Sequence, residues 1–247
     1  MKLADQRHGP NILLVHGAIA DGSIWRHVIQ GLQHNDFTVV ASQLPLTSFT
    51  DDVKAVKRDL GTMQGATVVV GHSYGGAVVT QAAAGASNVA SLVYIAAIVP
   101  DTGESVHSLL TQYPPSSSAP YFVPVDPYET PPFFILQRDQ FPHFACHDVE
   151  PSTATAQAAA QGPTSATCYT TPIEGVPAWQ QFPTWYQICT DDRSLDPTIQ
   201  KAIANRAVCP DHITSIKSSH YPLLSHPDKV TQLIKQAAHH SATSPSS

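Results

Sequence analysis

One serine in this chain stands where a hydroxyl can be made to react. In Val68-Val69-Val70-Gly71-His72-Ser73-Tyr74-Gly75-Gly76, a β-branched run ends on glycine, and Gly71 and Gly75 bracket Ser73 two residues away on either side. A small-residue stretch suited to a helix, Ala77 to Ala86, follows. Strand, sharp turn and helix with one hydroxyl at the turn make a G-x-S-x-G nucleophile elbow. The serine backbone is strained in such a turn, and a Cβ at either flanking position would collide with it, so glycine is required there. A serine hydroxyl is a poor nucleophile at neutral pH. The reading therefore demands a base within hydrogen-bond reach and an acid behind that base.

His220 is the histidine at the end of the last apolar strand. The chain holds 13 histidines, but His107, His143 and His147 fall in an insertion and His226 precedes a proline at a helix start. The acid comes from Asp191-Asp192, which follow the apolar stretch Thr184 to Cys189. Only one of two adjacent carboxylates can face the imidazole. Asp192 is chosen, Asp191 stays the alternative, and Asp196 is left to cap the next helix. Serine, acid, histidine is the chain order of one known arrangement of this triad. Acyl transfer also needs donors for the developing oxyanion, each typically worth about 3 kcal/mol of barrier. The backbone N–H of Tyr74 supplies one and that of Ala18, in His16-Gly17-Ala18, the second. His16 is expected to order its loop by hydrogen bonding, and His72 to be a packing residue.

The elements that must carry these groups can be read from apolar patterning. Asn11 to Val15, Phe37 to Ala41, Thr67 to Val70 and Val89 to Ala97 read as buried strands. Between them lie helical stretches, one with Ile24, Trp25, Val28, Ile29 and Leu32 on one face and one at Phe49 to Leu60 with Val53, Val56 and Leu60 inward. This alternation predicts an α/β protein with a mostly parallel, doubly wound sheet, and sites at the carboxyl ends of its strands. From residue 101 to 183 the pattern gives way to prolines and aromatics, with helix-compatible pieces at Phe133 to Asp139 and Ala154 to Gln161. Disordered chains are poor in aromatics, so this insertion is expected to be an ordered cap. The core is thus expected in residues 1–100 and 184–238. It resumes with a strand at Thr184 to Cys189, a helix opened by Pro197, a strand at His212 to Lys217 and a helix at Pro227 to Ala238. Residues 239–247 are expected to be a disordered tail.

Bulk properties narrow the function. A chain of 247 residues can bury one large α/β core. A formal net charge of −6 with no basic stripe argues against nucleic acid or an anionic membrane as partner. The longest apolar run, Val89 to Val99, is too short to span a bilayer. Met1 to Pro10 lacks the apolar core of a signal peptide, so a soluble, cytoplasmic protein is expected. Cys146, Cys168, Cys189 and Cys209 show neither a C-x-x-C pair nor zinc spacing; free, mostly buried thiols are expected, with no metal or other cofactor.

Taken together, Leu14-Val15-His16-Gly17-Ala18 with Trp25 downstream, Gly71-His72-Ser73-Tyr74-Gly75-Gly76, Thr190-Asp191-Asp192-Arg193 and Ser218-Ser219-His220 followed by Ser225-His226-Pro227 resemble the α/β-hydrolase superfamily. Within it they are similar to the small-esterase group that includes plant methylesterases and hydroxynitrile lyases. The likeness covers nearly the whole chain, including a cap that begins Val99-Pro100-Asp101-Thr102-Gly103-Glu104-Ser105. It implies an α/β-hydrolase fold with Ser73 as nucleophile, His220 as base, Asp192 as acid, and Ala18 and Tyr74 as oxyanion donors. The lyases of that group carry lysine after the catalytic histidine, where this chain has Tyr221, and threonine after the first-strand histidine, where it has Gly17. Cyanohydrin cleavage is therefore disfavoured. A serine in place of an aspartate nucleophile argues against haloalkane dehalogenase and epoxide hydrolase chemistry. The expected function is cleavage of a small, largely apolar carboxylic ester or lactone. A lyase, a cyclase or other biosynthetic step on the same triad, and a binding protein with negligible turnover, are the alternatives. Tyr121, Phe133, Phe134 and Trp179 are the aromatic candidates for the pocket.

Overall fold

The computed structural model describes residues 9–243. The strands are β1 (Asn11–Val15), β2 (Val39–Ser42), β3 (Thr67–His72) and β4 (Val89–Ile95), interleaved with helices α1 (Arg26–Gln33), α2 (Phe49–Thr62) and α3 (Tyr74–Ala82). After an insertion the chain returns as β8 (Thr184–Cys189), α8 (Pro197–Ala207), β9 (Ile213–Ile216), α9 (Pro222–Ser225) and α10 (Pro227–Thr243). The six strands form one sheet in the order β2-β1-β3-β4-β8-β9, every pairing parallel.

A parallel sheet has its carboxyl ends along one edge, so the loops after β1, β3, β8 and β9 meet there. Side chains alternate across each strand. Leu13, Val15, Val69, Leu92, Tyr94, Tyr186 and Ile188 pack with α2, α3 and α8 on one face. Ile12, Leu14, Val68, Val70, Val93, Ile95 and Trp185 pack with α1 and α10 on the other. Both faces are sealed, which is why these strands read as unbroken apolar runs; each fully buried Val, Leu or Ile adds about 1.5–3 kcal/mol over leaving it exposed. The buried hydroxyl of Tyr186 is satisfied: it donates to the Ala97 carbonyl at 2.6 Å and accepts the Ala97 N–H at 2.9 Å.

The insertion carries α4 (Val106–Leu110), β5 (Phe122–Pro124), β6 (Phe133–Leu136), α5 (Phe141–Phe144), α6 (Pro151–Ala160), β7 (Thr164–Ser165) and α7 (Thr167–Thr170). Its strands make a second, antiparallel sheet, β5-β6-β7. Phe133 to Leu136 is therefore strand and not the helix expected of Phe133 to Asp139. Only four residues are apolar there, too few for a helical face, and the pairing comes from Phe122–Pro124 and Thr164–Ser165, distant in the chain. The helix after Ser73 also starts earlier than Ala77 and ends at Ala82, with Gly85 in the left-handed region at φ 71°.

The expected disordered tail is corrected over its first part. Helix α10 runs on through residues 239–243. Neither glycine nor proline interrupts it, Ala237 and Ala238 are fully buried, and the His240 ring meets Trp185 edge-on at 5.2 Å. Residues 244–247, and residues 1–8 of the N-terminal segment, lie outside the described residues. Among the described residues no helix is long and apolar enough to cross a membrane. All four cysteines are free; Cys209 is exposed and the other three are buried.

Candidate active site

Ser73 sits between β3 and α3 with φ 55° and ψ −126°. A non-glycine residue in that region costs of order 1–3 kcal/mol and persists only where its surroundings hold it. Here its N–H donates to the Ile95 carbonyl at 3.2 Å, and its carbonyl accepts from Gly76 and Ile98, each at 3.0 Å. The flanking glycines are required sterically. A Cβ on Gly75 would lie 2.4 Å from the His16 carbonyl oxygen, and one on Gly71 would lie 2.8 Å from the Gly76 Cα. Gly17 answers the same constraint from the other side, since its Cβ would fall 2.8 Å from the Ser73 Cβ. The β1 loop can thus press directly against the elbow.

The structure brings Ser73, His220 and Asp192 into one line. Ser73 Oγ is 2.9 Å from His220 Nε2, and His220 Nδ1 is 2.6 Å from Asp192 Oδ2. Asp191 is exposed, and its N–H donates to the Ser218 carbonyl at 3.2 Å. Asp196 caps α8, accepting the Thr198 N–H at 2.7 Å. The Asp192 carboxylate is itself fixed. Its Oδ1 accepts the N–H groups of Ser194 and Leu195 at 2.7 and 2.9 Å, and its Oδ2 accepts Gln200 Nε2 at 2.8 Å. Gln200 is fully buried on α8 and accepts the Cys189 N–H at 2.9 Å, so it locks the end of β8 to the acid. Gln200 was not foreseen; a lone glutamine on a helix gives no sign of its partner.

With Nδ1–H donating to a carboxylate, Nε2 of His220 carries a lone pair facing the serine hydroxyl. Such a line can take the serine proton as a bond forms at Oγ and return it to a leaving group.

His16 and His72 both support this geometry. His16 donates from Nδ1 to the Gly17 carbonyl at 2.8 Å and accepts the Leu44 N–H on Nε2 at 3.0 Å, joining the β1 and β2 loops. Burial holds its pKa below the ordinary value. His72 packs against Trp25 and Tyr221, as expected of a packing residue, and in addition donates from Nε2 to the His220 carbonyl at 2.8 Å. Burial, and then the neighbouring His220, hold its pKa well below the ordinary value.

Ser73 is flanked in the chain by Tyr74 and in space by Gly17. Tyr74 is the first residue of α3, and Ala18 follows Gly17. The Tyr74 side chain is anchored by its hydroxyl, which donates to Asp52 Oδ2 at 2.6 Å. Between Ile19 and the inserted segment lies a pocket of about 400 Å³. Ile19, Phe122, Phe134, Ala166 and Tyr169 supply most of its wall, with His107, Thr164 and Thr170 among its polar members. Of the aromatics anticipated for it, Phe134 is present. Tyr121 instead packs on Phe144 at 4.9 Å, and Trp179 donates from Nε1 to the Pro100 carbonyl at 3.0 Å.

Known proteins share this architecture. A model of the alpha/beta hydrolase family matches residues 12–233. The chain is 26% identical over 248 residues to the alpha/beta hydrolase nvfD of Aspergillus novofumigatus (strain IBT 16806), covering 93% of this chain and 96% of that protein. Among solved structures it is similar to a pyrethroid hydrolase from Sphingobium faniae JZ-2, with TM-score 0.80 and 21% identity over 95% of this chain and 99% of the other. It is likewise similar to methylesterase MES16 from Arabidopsis, with TM-score 0.79 and 16% identity over 94% and 99%. These two distant likenesses speak for the fold. The family match runs from β1 into α10 and takes in every strand-end loop described above, so the chain belongs to the alpha/beta hydrolase family and is an enzyme of the hydrolase class.

Proposed function

We propose that this enzyme cleaves small, largely apolar carboxylic esters or lactones through an acyl-enzyme on Ser73. His220 acts as general base and then general acid, Asp192 orients it, and the N–H groups of Ala18 and Tyr74 receive the oxyanion. The observation that carries this reading is the continuous line from Ser73 Oγ through His220 to Asp192, at 2.9 and 2.6 Å.

In the reaction Ser73 Oγ attacks the carbonyl carbon while its proton moves to His220 Nε2. The imidazolium formed is stabilised by Asp192, whose own three partners keep it in place. The carbonyl oxygen becomes an oxyanion between the two backbone N–H groups, and donors already in position cost no reorganisation. As the tetrahedral intermediate collapses, His220 gives the proton to the leaving alkoxide. Water then attacks the acyl carbon by the same route in reverse, with His220 again the base.

Residues 101–183 act as the cap that supplies the substrate pocket to a core formed by the segments on either side. The apolar wall at Phe122, Phe134 and Tyr169, and the absence of any Lys, Arg, Asp or Glu among the residues lining that pocket, favour an uncharged small molecule as the partner. The similar structures named pyrethroid hydrolase and methylesterase agree with that substrate class. Four unpaired thiols suit a reducing compartment such as the cytoplasm.

Rapid mixing with neutral p-nitrophenyl esters tests the reading. A burst of one p-nitrophenolate per active site, followed by slower steady turnover, is expected of an accumulating acyl-enzyme. Protein whose Ser73 still reacts with a covalent probe but which turns over no ester or lactone would contradict hydrolysis and favour a lyase or cyclase step at the same residues.

A further inference from the structure

Ile19, directly after Ala18, has φ 50°. That left-handed conformation is unfavourable for any residue with a Cβ and is an outlier for a β-branched one. Something outside the loop must hold it. The Ile19 N–H donates to Thr164 Oγ1 at 2.9 Å. Thr164 opens β7 in the cap, is paired with Phe134 of β6, and is 1% exposed. The Ala18–Ile19 peptide is therefore clamped by the cap, one peptide away from the Ala18 N–H.

The same short cap segment reaches the other side of the elbow. The Ser165 N–H donates to the Leu46 carbonyl at 2.9 Å, and the Thr167 hydroxyl to the Thr47 carbonyl at 3.1 Å. The Cys168 thiol donates to Asp52 Oδ2 at 3.5 Å, the carboxylate oxygen that also accepts the Tyr74 hydroxyl. Both residues whose N–H groups flank Ser73 are thus tied to residues 164–168.

We propose that Thr164 is a positioning residue for the reaction: its hydroxyl locks the Ala18–Ile19 peptide and so keeps the Ala18 N–H aimed at the oxyanion. The proposal rests on the reading of Ala18 as an oxyanion donor given above. Thr164 also lines the pocket, and the two roles separate kinetically. A contact that merely shapes the pocket acts on ground state and transition state alike and moves KM. A contact that aims an oxyanion donor acts on the transition state and moves kcat.

The test compares Thr164→Val, which keeps the shape and removes the acceptor, with Thr164→Ser, which keeps the acceptor. Losing an oxyanion donor outright typically costs about 10²–10³ in kcat, so misaiming one is expected to cost about 10- to 100-fold. The valine enzyme should show that loss with KM within about twofold of wild type, and its affinity for a trifluoromethyl ketone, which forms an oxyanion adduct with the serine, should fall by a similar factor. The serine enzyme should return to within about threefold of wild type. Should the valine variant not fold, Thr164→Ala is measured in its place. Wild-type kcat in the acceptor-free variant, a loss confined to KM, or failure of serine to rescue overturns the proposal. Ester turnover that survives Ser73→Ala instead overturns the underlying reading; Ser73-dependent turnover indifferent to Thr164 overturns this proposal alone.

Discussion

The His72 ring faces the His220 carbonyl at 2.8 Å, and a carbonyl only accepts, so the proton resides on Nε2. Its Nδ1 has no partner among the described residues. Charging that nitrogen would put a cation in the core, 4.9 Å from the His220 ring, which is why burial, and then His220, depress the His72 pKa well below 6.5. His16 is held below its ordinary value in the same way, chiefly by burial. The consequence is a pH dependence of stability. As pH falls below about 6.5 the unfolded chain binds protons at these histidines and the folded chain does not, so stability falls. It continues to fall until the folded-state pKa values, which lie lower, are reached. His72→Gln should flatten this slope by about 1.4 kcal/mol per pH unit, the value of one proton. Urea unfolding between pH 6.5 and 5 reads it; parallel slopes for the two proteins would show that His72 is already charged in the fold.

At the scale of elements, the end of β9 is held by the cap. Asp148, just after α5, accepts the Ser219 N–H at 2.9 Å and the Ser218 hydroxyl at 3.0 Å. These two residues lead into His220 and are buried. Asp148→Ala leaves a buried N–H without its acceptor and should cost about 1–3 kcal/mol. It should also lower kcat as His220 loses its fixed approach, while Asp148→Asn, which keeps a carbonyl oxygen, retains most of both. Paired urea midpoints and kcat values check this, and an unchanged midpoint in the alanine variant would refute the brace. Such links explain what could and could not be read from the chain. β1 and β8 are legible to the residue, because sealed parallel strands are continuous apolar runs ended by polar loops. Ser73 is legible for the same reason, standing where such a run stops; His220 follows β9, a partly exposed edge strand, and is legible from its place in the chain order. β6 is not, since its four residues become strand only by pairing with partners from elsewhere in the cap. The choice between Asp191 and Asp192 is decided by which of two neighbours points inward. Asp52, Asp148, Thr164 and Gln200 act through partners remote in sequence, and nothing local announces them.

Across the whole molecule, the sheet and the inserted segment both hold the candidate site. Parallel winding gathers the β1, β3, β8 and β9 loops at one edge, where Ser73, His220 and Asp192 meet. The inserted segment carries a second sheet, lines a pocket with Ile19, and braces the loops through Asp148 and Thr164. The proposed reaction rests on Ser73 as its nucleophile, and covalent labelling with a fluorophosphonate reads that directly. One stoichiometric adduct is expected on the wild-type protein, located at Ser73 by peptide mass and lost in a folded Ser73→Ala variant. Undiminished labelling of that variant, or an adduct mapped to another residue, would contradict it.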